Sequence, residues 1–171
     1  TTLAPTADGE TTVSVTFGGK TLSLPAVVKD SAVTPELSFK LDIMPIFMKA
    51  NCNTGTCHGA ASGKDGFRLS LFGFDHAGDY QRVTREIGNR RINLAFPHES
   101  LMLTKSTAAV PHTGGTRFRK DDPLYNLMHE WIDAGAVADK ADIPTCTKIE
   151  VYPRSAVLDG EGATQKITVR A

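Results

Sequence analysis

Residues 51–59 read NCNTGTCHG: two cysteines, Cys52 and Cys57, separated by four residues, with a histidine, His58, directly after the second. Two intervening residues would set paired cysteines about 300° apart around a helix, whereas four set them about 500° apart, roughly 140° once a full turn is removed. A regular helix therefore cannot offer both thiols to one edge of a ligand, so the extra residues must bulge. Gly55, with Asn53 nearby, supplies the backbone freedom for that bulge.

Three chemistries use such a stretch. In the first, both thiols add to the vinyl groups of a haem and the adjacent histidine turns its ring onto the iron. This needs Cys57 and His58 side by side, as they are, and Gly59 lets the chain pass close to a flat ring. The second is a zinc site of Cys52, Cys57, His58 and Cys146, although neighbouring side chains diverge and rarely ligate one tetrahedral ion together. The third is a Cys52–Cys57 disulfide pinching a loop in an oxidising compartment, with His58 at the surface. With three cysteines in all, at most one bridge forms within the chain.

The rest of the chain bounds these readings. Its 171 residues, 40% of them apolar, suffice for one ordinary domain plus some extra structure. Nineteen basic residues balance nineteen acidic ones without a run of either sign, so neither nucleic acid nor an anionic membrane is an expected partner. No run of about 18 apolar residues occurs, and TTLAPTADGE at the start has neither a basic opening nor an apolar stretch. The expectation is a soluble piece of a longer protein with no transmembrane segment. No nucleophile–histidine–acid order, phosphate loop or supported acidic pair suggests an enzyme.

The two ends carry strand signals. TTVSVTF (11–17) and TLSLPAVV (21–28) flank a glycine turn, and KIEVYP (148–153) and QKITVRA (165–171) bracket the turn-rich DGEG at 159–162. Helical signals fill the middle. Asp42 is placed to cap IMPIFMKAN, with Pro45 in the first turn; a second helix is expected from Asp79 to Ile87; and DPLYNLMHEWIDAGA predicts a helix from Asp122 to about Ala134. On that last helix Leu124, Leu127, Met128, Trp131 and Ile132 make one apolar stripe. Between the helices lie long irregular segments, notably 104–121 with VPHTGGTRF, of a length that usually serves a ligand.

The segments NCNTGTCHGAASGKDGFRLSLFGFDHAGDY, NRRINLAFPHESLMLTKSTAAVPHTGGTRF and YNLMHEWIDAGA, in that order, resemble the planctomycete cytochrome c domain of large exported proteins. The resemblance spans about residues 38–138. KIEVYPRSAVLDGEGATQKITVRA resembles the opening strands of a bacterial Ig-like domain, a common neighbour in that family. The resemblance implies a mainly α, cytochrome c-like helical haem domain at 37–144, flanked by β segments at 1–36, as the end of one Ig-like domain, and at 145–171, as the start of another. The four-residue gap departs from the commoner two-residue motif.

Haem c, held by Cys52 and Cys57 with His58 on the iron, is thus the expected cofactor. The second iron ligand sets the potential, methionine raising it and a second histidine lowering it. In the fold this chain resembles, that ligand comes from an irregular segment before the last helix, often beside a proline, which is where Pro111-His112 stands. His112 is the expected ligand and Met102, in ESLMLTKS, its alternative; Met128 belongs to the apolar stripe, and His76, His98 and His129 have ordinary surface or capping readings. Phe67, Leu69, Leu71 and Phe72 of GFRLSLFG either line the haem pocket or form a plain apolar strand. Arg90, Arg91, Arg117 and Arg119 are candidate propionate partners because a guanidinium matches a carboxylate with two donors. Cys146 is either a buried free thiol or an intermolecular bridge.

The function expected is electron transfer by a bis-histidine haem c domain, exchanging electrons with an unidentified redox partner at the periplasm or cell surface. Two alternatives stand beside it: a carbohydrate-binding module with a structural or sensory haem, and a peroxidase-like enzyme with an open distal site.

Overall fold

The computed structural model describes residues 3–171 and divides the chain into two compact units, Thr1–Leu37 and Ser38–Ala171. The first unit is an antiparallel hairpin of β1 (Gly9–Phe17) and β2 (Lys20–Val28), in register from Phe17 opposite Lys20 to Gly9 opposite Val28. Gly18 and Gly19, at φ 57° and 73°, make the two-residue turn, a left-handed pair that glycine adopts without a Cβ penalty. At the open end the Asp8 carboxylate accepts the backbone N–H groups of Asp30 and Ser31 at 3.0 and 2.7 Å.

The second unit holds the helices α1 (Met44–Lys49), α2 (His76–Thr84), α3 (Leu101–Ser106) and α4 (Pro123–Asp133), followed by a short hairpin of β3 (Glu150–Tyr152) and β4 (Thr168–Arg170). The expectation of a mainly α fold is corrected: about 25% of the chain is helical and 15% is in strands, a small mixed fold. The helices are short because local chemistry stops them. Pro45 cannot donate to the carbonyl four residues back and crowds it, and the turn in front of α1, Phe39–Ile43, is widened to π geometry. Long segments fixed by side chains and turns take the place of further helix.

Ser38, rather than Asp42, caps this first helical stretch. Its Oγ accepts from Leu41 N at 3.0 Å, while the Asp42 carboxylate reaches back to Ser38 N at 2.8 Å, so each satisfies a backbone donor left over at the helix start. The second helix begins earlier than expected, at His76, because Asp75 is its cap and accepts from Gly78 N at 3.0 Å; it stops at Thr84, short of Ile87. The last helix has Asp122 as its cap and Pro123 in its first turn, as the sequence predicts. Its buried face is Tyr125, Met128, Trp131 and Ile132, with Leu124 and Leu127 half-buried at the margin.

The core gathers around Trp131. Its ring lies 5.4 Å from that of Phe39 and 6.4 Å from that of Tyr80, and its Nε1 donates to Val137 O at 3.2 Å. Tyr80 donates to Ala136 O at 2.9 Å, and the Asp139 carboxylate accepts from Phe39 N and Lys40 N at 2.8 and 2.9 Å. The stretch just after α4 therefore ties α2 and the start of the α1 segment to the same aromatic cluster. Ile43, Ile46, Phe47, Leu69, Val83 and Leu103 complete the core. Among the described residues no helix is long and apolar enough to cross a membrane.

Candidate functional site

Residues 51–59 leave α1 in a left-handed step at Asn51, φ 57°, and wind into a bulged loop. Cys57 N donates to Thr54 O at 3.0 Å, Gly59 N to the same carbonyl at 3.0 Å, and His58 N to Cys52 O at 2.9 Å. The last of these closes over the extra residues, which is how the loop absorbs the four-residue gap. Asn53 is fully buried; with its amide turned to suit its neighbours, it donates to Phe47 O at 3.3 Å and accepts from Gly73 N at 3.1 Å.

The role expected of Gly55 is corrected. Gly55 is exposed, lies outside the left-handed region and has only Leu71 Cδ1, at 4.0 Å, near a Cβ position, so the freedom sits at Asn51 instead. At Gly59 a Cβ would lie 2.2 Å from Asn53 O and 2.8 Å from Thr54 O. Gly59 is thus required by the closure of its own loop.

Cys52, Cys57 and His58 open onto a common cleft. Phe67, Arg90, Arg91, Met102, His112 and Arg117 also line it. The fold therefore brings His112 to the cysteine–histidine loop from 54 residues away (112 − 58). Local bonds set that position: Lys105 Nζ donates to Pro111 O at 3.0 Å and Arg117 N to Ser106 O at 2.7 Å, clipping the irregular segment to α3. Lys105 was no sequence candidate, and only its spacing of six residues from Pro111 hints at the clip.

The two histidines are held alike. His58 Nδ1 pairs with Phe67 O at 3.0 Å and His112 Nδ1 with Gly115 O at 2.8 Å; because a carbonyl only accepts, each Nδ1 carries a proton, an arrangement that in a neutral ring leaves the lone pair on Nε2. Burial holds the His58 imidazole below its ordinary pKa, against the opposing bond to Phe67 O, and the nearby His112 adds to the lowering. Gly114 gives His112 its room, for a Cβ there would lie 2.8 Å from the ring's Cε1.

All three cysteines are free thiols. Burial pushes the Cys52 thiol up to about 11, with Arg117 opposing. Alkylation of Cys52 by iodoacetamide, followed by peptide mass spectrometry, is therefore expected to quicken about tenfold per pH unit well past the ordinary thiol value of about 8.5; a rate that levels off there contradicts the burial. Cys146 is exposed, its Sγ 3.4 Å from Lys148 O, which corrects the buried reading. Among the described residues no three His, Cys, Asp or Glu side chains converge on a point that could hold a bare ion, so the zinc reading has no ligand set.

The pocket expectation for GFRLSLFG divides. Phe67 lines the cleft, Leu69 is buried in the core and Leu71 and Phe72 are exposed. The segment is no strand, because Ser70 is drawn into a polar knot: the buried Asp79 carboxylate accepts from Ser70 N and from Arg82 Nη1, at 2.7 and 2.8 Å. Arg119 is exposed and does not line the cleft, while Met102, half-buried on α3, does.

Two thiols and two imidazoles, each imidazole held at Nδ1 by a backbone carbonyl, therefore line one cleft. Compared with known proteins, the chain matches no family model, no curated sequence and no solved structure.

Proposed function

We propose that residues 38–138 bind a c-type haem and serve as a one-electron carrier. The observation that carries this reading is the shared cleft: Cys52, Cys57, His58 and His112 line it together, and both rings are held at Nδ1 by backbone carbonyls. A bound haem supplies the one-electron couple. Cys52 and Cys57 would hold the haem through thioether bonds, each S–H adding across a vinyl group so that sulfur takes one vinyl carbon and the proton the other, with no oxidant needed. His58 and His112 would be the residues to ligate the iron through Nε2, and the Nδ1–H bonds to Phe67 O and Gly115 O orient the rings and raise their basicity. Arg117, whose side chain also bonds Gly114 O, stands beside Cys52 as a cation at the cleft wall. The resemblance to exported cytochrome domains supports a periplasmic or cell-surface location and a redox partner protein.

Protein made alongside a haem c attachment system is expected to keep its haem through acid–acetone extraction; complete loss of haem there defeats the proposal. With haem retained, His112→Ala is expected to change a low-spin optical spectrum to high-spin. An unchanged low-spin spectrum in that variant transfers the sixth position to Met102, which a methionine–iron charge-transfer band would mark.

A further inference from the structure

Arg91 is nearly buried, its side chain 6% exposed, and both terminal nitrogens are engaged. Nη1 donates to Arg82 O at 2.7 Å and to Glu86 O at 2.6 Å, Nη2 donates to Gly66 O at 3.1 Å, and the Glu86 carboxylate is an ion-pair partner 3.1 Å from Nη2. The guanidinium also lies 4.4 Å over the centre of the Phe67 ring. Three carbonyls, the Glu86 carboxylate and an aromatic face offset the cost of burying the charge, and they occupy most of what the terminal nitrogens could offer an incoming carboxylate.

What Arg91 grips leads to His58. Gly66 O and the Phe67 ring belong to a tight turn, Lys64 to Phe67, in which Asp65 and Gly66 are left-handed at φ 51° and 74° and Lys64 N donates to Phe67 O at 2.9 Å. That same Phe67 carbonyl accepts the hydrogen bond from His58 Nδ1, and the Phe67 ring packs on the imidazole with 4.7 Å between centres. At Gly63 a Cβ would lie 2.4 Å from Phe67 O, so the backbone there is shaped to let this carbonyl approach. A neutral imidazole exchanges between two tautomers unless an acceptor selects one.

We propose that Arg91 is a positioning residue for His58: by pinning the 64–67 turn through Gly66 O and the Phe67 ring, it keeps the Phe67 carbonyl on Nδ1 and so presents Nε2 as a lone pair to the cleft. The proposal rests on the haem reading only for what that lone pair serves. Its test needs no haem.

In apoprotein labelled with ¹⁵N-histidine, long-range ¹H–¹⁵N spectra near pH 8, where an ordinary imidazole is neutral, are expected to show His58 as one tautomer, protonated at Nδ1. In Arg91→Met, and equally in Arg91→Lys, whose ammonium lacks the planar fork, the single-tautomer pattern is expected to give way to averaged ring-nitrogen shifts. Where neither variant folds, Phe67→Leu decides: it removes the ring under the guanidinium, leaves the Arg91 bonds in place, and is expected to average the shifts in part. A folded variant that keeps the pure Nδ1–H pattern, or a wild type that lacks it, overturns the proposal. Wild-type protein with the expected tautomer that retains no haem would defeat the haem reading and leave this one standing.

Discussion

Gly59→Ala is expected to destabilise the second unit by about 3 kcal/mol or more, while Gly55→Ala, four residues earlier in the same loop, is neutral or stabilising by up to about 1 kcal/mol. The difference is steric. A Cβ at Gly59 would sit 2.2 Å from Asn53 O and 2.6 Å from Asn53 C, atoms of the backbone that no rotamer change can move aside, whereas one at Gly55 meets only Leu71 Cδ1 at 4.0 Å. Asn53 cannot yield, being fully buried between Phe47 O and Gly73 N. Relief must come from opening the loop, at the expense of the His58 N to Cys52 O and Gly59 N to Thr54 O bonds that place the thiols and the imidazole. Urea unfolding followed by circular dichroism measures both variants; a Gly59→Ala midpoint equal to that of Gly55→Ala would show that the loop does not close as described. On the haem reading, Gly59→Ala also lowers the yield of covalently attached haem.

Trp131→Ala is expected to cost about 3–5 kcal/mol, a large share of the roughly 5–15 kcal/mol that a domain has, and to lower the thermal midpoint by roughly 10 °C or more. The ring is 2% exposed and touches Phe39 and Tyr80, which come from the segment before α1 and from α2, while its Nε1 holds Val137 O. Removing it empties the point where these elements meet and strands the Val137 carbonyl. Trp131→Phe keeps most of the contact area and is expected to lose markedly less. As Trp131 is the sole tryptophan, circular dichroism rather than fluorescence must follow the transition. A shift of only a degree or two in Trp131→Ala would mean that the cluster is not the centre of the core.

Local signals announced some elements plainly. The last helix carries its own punctuation, Asp122 and Pro123 at the start and Gly135 just past the end, and its apolar spacing agrees with the face that is buried. The first hairpin is announced by alternation around Gly18-Gly19. Elsewhere local evidence misled. Asp79 has the look of a helix start, but it is a buried partner of Ser70 and Arg82 inside a helix that Asp75 caps three residues before Gly78. The run of apolar residues in GFRLSLFG suggests one common environment, yet Leu69, Phe67 and Leu71 go to core, cleft and solvent, because the left-handed backbone at Phe72, φ 54°, and the Ser70–Asp79 bonds break the period.

The sequence by itself determined the chemistry on offer: two thiols, a histidine adjacent to the second, a further histidine beside a proline, and the capped last helix. Those follow from neighbours in the chain, whose relations are set by covalent geometry and by turns of a few residues. Only the tertiary structure decided which of these groups share a cleft and what each one is tied to. His112 reaches the loop of Cys52, Cys57 and His58 through the Lys105 and Ser106 clips, Gly59 rather than Gly55 proves sterically required, and Arg91 spends its donors on Gly66, Arg82 and Glu86. Each of these is a contact between residues distant in sequence, whose free energy depends on atoms meeting within a few tenths of an ångström, and local propensity holds no record of such meetings.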